Sequence, residues 1–146
     1  QSFGDDHEKI KSNSKAMIVL KKQVLPVLAA TIWISLSEFF RNEFLLKQHW
    51  IQHYSDMGQQ FPGSPINGAV WGVWSLIMSI LVLVILQKFS YFQTVFIVWI
   101  ASFVMMWLVI GNLGVLPFAI LPYAIPLSLL KVFVATAIVQ WIIKRK

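Results

Sequence analysis

The sequence predicts an all-α integral membrane protein with four transmembrane helices, and three observations predict it. Hydrophobic residues make up 58% of the chain and charged residues 12%, whereas soluble domains run at about a quarter charged. Four apolar stretches, Gln23 to Leu46, Ile66 to Gln87, Tyr91 to Ile110 and Val115 to Ile143, each supply the roughly 20 helical residues that cross a hydrocarbon core of about 30 Å. Most of the lysines and arginines stand at the ends of these stretches. A barrel is excluded, because its strands alternate in hydrophobicity over about 10 residues and these runs do neither.

Residues 1–15, QSFGDDHEKIKSNSK, are polar and aperiodic, so a polar cytoplasmic tail is expected ahead of a four-helix domain over residues 16–146. No small-residue cleavage site and polar mature domain follow the first apolar run, so a cleavable signal peptide is not expected. After span one, Leu46, Trp50, His53, Tyr54 and Met57 recur at helical spacing while Gln48, Gln52, Ser55 and Asp56 face away. That pattern predicts a short amphipathic helix on the outer interface. Gln59 to Pro65 then turns the chain back, through proline and glycine. Span two carries Gly68, Gly72, Ser75 and Ser79 as a stripe of small residues, which suits close helix packing within the chain or across a homodimer. Gly111, Asn112 and Gly114 predict a turn after span three, with the glycines free to take positive φ. Pro117, Pro122 and Pro126 lie in the fourth stretch, so its outer end is expected to be kinked or re-entrant, with a straighter helix from about Ser128.

Charge sets the orientation. Lys9, Lys11, Lys15, Lys21, Lys22, Lys88, Lys144, Arg145 and Lys146 fall on one side, and essentially Lys47 with the border residue Arg41 on the other. The positive-inside rule then places both termini in the cytoplasm, and an all-helical chain without cysteine suits a bacterial inner membrane. The same distribution accounts for the net charge of +6 without nucleic acid as a partner, since cations at span ends suit anionic lipid headgroups.

The residues richest in chemistry are the charges within the apolar stretches. An ionisable group in hydrocarbon costs several kcal/mol unless paired or hydrated, so it faces the bundle interior by default. At about 1.5 Å per residue from Gln23 and from Ile143, Glu38 stands roughly 22 Å and Lys131 roughly 18 Å from the cytoplasmic boundary. The two are therefore expected to meet as an ion pair. Arg41 and Asn42, three and four residues beyond Glu38, share its face. Trp71 and Trp74 lie near the same level and Asn112 on the same outer side, so these seven residues form the candidate ligand site. The pairing is equally compatible with a purely structural role, locking helices together.

No cofactor is predicted. A divalent metal remains possible at His49, His53 and Asp56, which share one side of the outer helix. Zero cysteines exclude disulfides, Cys-held metal centres and a Cys nucleophile, and no Walker loop, dinucleotide turn or G-x-S-x-G elbow is present. Four spans with an acidic residue, Glu38, in the first resemble the small multidrug-resistance transporters in outline. This chain is longer, adds Lys131 and the outer amphipathic segment, and matches none of that family's motif residues.

Three readings of function follow. The first is a protein that holds a lipid or small apolar ligand within its helix bundle, or serves as an accessory membrane protein, with membrane lipids as partners. The second is a small ion- or proton-coupled transporter using Glu38 and Lys131. The third, a membrane-embedded enzyme, has the least support from the residues, because every histidine lies outside the apolar spans, where it could not serve as base to a serine within them.

Overall fold

A computed structural model describes Lys11 and residues 13–145 of the chain, and within them the protein is helical with no strand. Its elements are α1 (Asn13–Leu45), α2 (Lys47–Asp56), α3 (Pro65–Leu86), α4 (Tyr91–Asn112) and α5 (Phe118–Lys144). Helices α1, α3, α4 and α5 are long and apolar enough to cross a membrane. They run up and down in turn, so that the α1–α2–α3 connection and the α4–α5 turn share one end of the bundle, here called distal. The α3–α4 turn and both ends of the described chain share the other.

Helix α1 extends well ahead of Gln23 and begins inside the expected polar tail, so Lys15, Lys21 and Lys22 ride on exposed helical turns. Residues 1–10 and 12 of that tail lie outside the described residues. The backbone widens to a π turn at Leu20–Val24, where the Leu25 amide reaches back five residues to the Leu20 carbonyl. Pro26 gives the reason. It lacks an amide hydrogen and its ring crowds the carbonyl four residues earlier, and a widened turn just before it relieves both demands. Beyond it the buried positions are Pro26, Ala30, Ile34, Glu38 and Arg41, one face of a helix at spacings of four and three. The apolar packing face therefore leads directly into two charged residues.

Helix α1 packs chiefly on α3 and α5, and α4 packs on α5 and, through its first half, on α3. The main core includes Ala30 and Ile34 of α1, Met78 and Val82 of α3, Val98 of α4 and Val132 of α5. A second, distal core gathers Leu46, Leu116, Ile120 and Ala124, with Trp50 of α2 lying against it and Trp107 shared between the two. The surface is strongly apolar. Phe44, Ile66 and Leu108 are 68%, 68% and 69% exposed, and exposed apolar area on this scale marks a surface meant for something other than water.

The amphipathic helix expected after span one is α2, with Leu46 buried, Trp50, His53 and Tyr54 half-buried, and Gln48, Gln52, Ser55 and Asp56 exposed. It ends at Gly58, whose φ of 70° supports paired hydrogen bonds, Gln59 amide to Tyr54 carbonyl and Gly58 amide to Ser55 carbonyl. Gly114, at φ 73°, closes α4 in the same way, with Val115 bonded to Ile110 and Gly114 to Gly111. This is the double bond of a helix-ending glycine motif, which a side chain with Cβ would strain.

Two expectations are corrected. The fourth stretch is not re-entrant. Pro117 precedes a 3-10 turn at Phe118–Ile120, Pro122 sits in the first turn of the regular helix, and the helix continues through Pro126 to Lys144. A proline in a first turn removes an amide that has no helical partner, which is why Pro122 is tolerated. The small-residue stripe of α3 is divided. Ser75 and Ser79 are fully buried inside the bundle, donating to the Trp71 and Ser75 carbonyls of their own helix, whereas Gly68 and Gly72 have open space where a Cβ would stand. Ser75 and Ser79 are thus not on a surface that a second copy could meet.

Candidate functional site

Glu38 follows three apolar turns on the buried face of α1, and its carboxylate gathers donors from two helices. Arg41 Nη2 donates to Glu38 Oε2 at 2.5 Å and Asn42 Nδ2 donates to the same oxygen at 3.1 Å. Lys131 Nζ, from α5, donates to Glu38 Oε1. Glu38, Arg41 and Lys131 are 2%, 7% and 2% exposed, so this is an interior cluster. The ion pair inferred from depth along the two helices is present, and the i+3 and i+4 neighbours of Glu38 complete it.

Phe103 of α4 forms the third wall. Its fully buried ring has Lys131 Nζ at 5.0 Å and the Arg41 guanidinium carbon at 5.8 Å from its centroid, inside the range where a ring face attracts a cation. Widened turns supply two of the participants. Arg41 opens the π turn Arg41–Leu45, and Phe103 lies in the π turn Ile100–Val104. An extra residue in a turn rotates the side chains that follow, which is how such turns re-aim residues at sites. Trp33 Nε1 donates to the Lys131 carbonyl at 3.1 Å, and Trp99 Nε1 donates to Ser128 Oγ at 2.9 Å one turn away. Helices α1, α4 and α5 are thereby tied at one level.

Donors exceed acceptors here. Both Glu38 oxygens are occupied, while Arg41 Nε and Nη1 are buried without a partner among the described residues. One carboxylate against a guanidinium and an ammonium leaves one positive charge in excess. A cavity of about 160 Å³ between α1 and α5 is lined by parts of Arg41 and Lys131 together with Trp33, Ser37, Phe40, Leu45, Leu127 and Leu130, and its wall is almost wholly apolar.

A larger groove of about 510 Å³ runs between α3 and α4, lined by Trp74, Ile77, Met78, Leu81, Met105 and Val109 among others. Ile77, Met105 and Val109 are about 60% exposed, so the groove is open along the side of the bundle. Trp74 stacks edge-on against Phe103 at 5.3 Å. That pair separates the groove from the charged cluster.

The sequence-derived site is therefore partly assembled. Glu38, Arg41, Asn42 and Lys131 meet. Trp74 reaches the cluster through Phe103, and Trp71 stands behind it at 5.7 Å from Trp74. Asn112 is exposed at the end of α4 and has no hydrogen bond to the cluster among the described residues. The metal set does not form. His53 Nε2 is bonded to the Gly114 carbonyl at 3.1 Å, Asp56 accepts from Gln52 at 2.8 Å, His49 is exposed, and the described residues hold no group of three side chains able to bind a metal ion. Sequence reasoning missed both Phe103 and the bond from Trp33. The available signal was depth: Phe103 falls at the level of Glu38 when counted along span three.

Comparison with known protein families, with curated proteins and with solved structures finds no match for this chain.

Proposed function

We propose that the chain crosses a bilayer four times with both termini in the cytoplasm, as in a bacterial inner membrane, and binds a lipid acyl chain in the groove between α3 and α4. The observation that carries this reading is the groove. Its volume lies in the range of small-molecule sites, its lining is almost wholly apolar, and it opens sideways, where acyl chains are the surrounding medium. Methionines suit such a wall, because their unbranched side chains adapt to irregular apolar shapes; Met78, Met105 and Met106 all line it.

The test is photocrosslinking in liposomes with a fatty acid carrying a diazirine near its tail. Label is expected on α3 and α4 at Ile77, Met105 or Val109, and filling the groove by Ala101→Phe is expected to remove it. Equal labelling of all four long helices, unaltered by Ala101→Phe, would sink the reading.

The transport reading has one observation in its favour, a cavity reaching Lys131 and Arg41 beside Glu38. Coupling through Glu38 requires that Glu38→Gln keep a folded protein and lose flux. A structural cluster instead loses folded protein.

A further inference from the structure

We propose that the groove between α3 and α4 takes an uncharged long-chain carbonyl compound, an ester, ketone or quinone, whose oxygen accepts hydrogen bonds from the Trp74 indole and the Ser102 hydroxyl. This rests on the reading of the groove as an acyl-chain site and names the polar group that accompanies the chain.

Three observations converge. The first is the make-up of the wall. It is apolar apart from a small polar part, and among its lining residues only Trp74 of α3 and Ser102 of α4 carry a side-chain N–H or O–H. The two stand at one level, because Trp74 packs edge-on against Phe103, the neighbour of Ser102. The second is unused donor capacity. Hydroxyls inside the long helices, such as those of Ser75, Ser79 and Thr94, donate to the carbonyl four residues back, and the Trp33 and Trp99 indoles donate to Lys131 and Ser128. Trp74 Nε1 and Ser102 Oγ have no such bond among the described residues; Ser35 lacks one too but lines neither cavity. Both residues are half-buried, and the buried side-chain atoms without a partner are Arg41 Nε and Nη1 alone among the described residues. The Trp74 and Ser102 groups therefore keep open surface. The third is the backbone. Ser102 lies in the widened turn Ile100–Val104, a feature frequent at functional sites.

Depth selects the ligand. Ser102 stands about 16 Å along α4 from Tyr91 and about 15 Å from Asn112, near the middle of the helix. With a hydrocarbon core of about 30 Å, the ester groups of a phospholipid held at its boundary are about 15 Å away, so a headgroup-anchored lipid brings only methylenes to this level. A charge at that depth costs several kcal/mol, which disfavours a fatty carboxylate or a phosphate. An indole N–H donates only, a hydroxyl can donate, and a carbonyl oxygen has two lone pairs, so one uncharged carbonyl answers both groups. No water competes for them in hydrocarbon. The chain then lies along Ile77, Met105 and Val109.

The experiment uses the full chain in phosphatidylcholine liposomes with two photoprobes of equal length, a straight alkane and the matching mid-chain ketone, each with a diazirine near one end. Label on α3 and α4 is mapped by peptide mass spectrometry, and the ketone-to-alkane ratio is taken within each variant, so that a change in groove shape cancels. Wild type is expected to take the ketone about fivefold over the alkane at Ile77, Met105 or Val109, as a neutral hydrogen bond allows. Ser102→Ala and Trp74→Phe should each lower the ratio, and the double variant should bring it to parity. Equal labelling by both probes in wild type overturns this inference and leaves the acyl-chain reading standing. A ratio unchanged in the double variant also overturns it, by removing the two proposed donors from the preference. Absence of groove label from either probe overturns both readings. Should Trp74→Phe fail to fold, Ser102→Ala alone decides: an undiminished ratio sinks the inference.

Discussion

The seam between α1 and α5 and the seam between α3 and α4 differ in a direction that hydrophobicity does not anticipate. The most apolar windows of α1 and α5 have mean hydropathies of 1.6 and 1.9, and those of α3 and α4 reach 2.5 and 2.3. Yet the less apolar pair is tied together through buried charge, whereas the more apolar pair parts into the larger groove along the second half of α4. Water-driven packing would give the reverse. Among lipid tails, an apolar side chain gains little by leaving tails for another helix, and close packing and polar contacts decide which helices stay together. Glu38, Lys131 and the bond from the Trp33 indole to the Lys131 carbonyl give the first seam those contacts. The distal part of the second has none of comparable kind among the described residues.

The contrast predicts where damage is greatest. Glu38→Leu leaves Lys131 and Arg41 buried without their acceptor and should cost about 3–5 kcal/mol, read as loss of folded protein in a detergent unfolding series. Combining it with Lys131→Met should cost less than the sum of the two singles, because both substitutions break the same ion pair. Phe103→Leu, which removes a ring face from both cations while keeping most of the volume, should cost about 1–2 kcal/mol in the same series. Ser128→Ala leaves the Trp99 indole without its acceptor and should cost about 1 kcal/mol. Met105→Ala, on the rim of the groove, should change stability by less than about 0.5 kcal/mol. A destabilisation at Met105 as large as that at Glu38 would make the groove, not the charged seam, the part that holds the bundle. Adding zinc should leave the melting temperature unchanged, since His53 is committed to the Gly114 carbonyl.

How much of this was legible in the sequence depends on range. The four long helices follow from apolar run length, and the face of α2 from the spacing of Leu46, Trp50, His53 and Tyr54. The Glu38–Lys131 contact was legible because counting residues from two boundaries fixes height on each helix, and buried charge restricts which residue can answer at that height. Rotation was not legible. Phe103 reaches the cluster from a helix that widens at Ile100–Val104, and no proline or glycine pair in that stretch announces the change. The metal set at His49, His53 and Asp56 failed because shared helical phase does not make side chains converge; Gln52 and the Gly114 carbonyl offered nearer partners. Pro122 suggested a break because a residue type was read without its position in the first turn, and the helix runs on through Pro126 as well.

The reach of α1 has a mechanical meaning. At 33 residues it is about 50 Å long, so a bilayer that encloses its distal part leaves roughly 20 Å projecting on the proximal side. That projection is continuous with the turn bearing Glu38 and Arg41, and it carries Lys15, Lys21 and Lys22 as exposed markers along its length. It behaves as a shaft. Turning or tilting α1 at the charged level would carry those lysines with it, and the widened turn at Leu20–Val24, just ahead of Pro26, is the one departure from regular α-helix between Lys15 and Glu38.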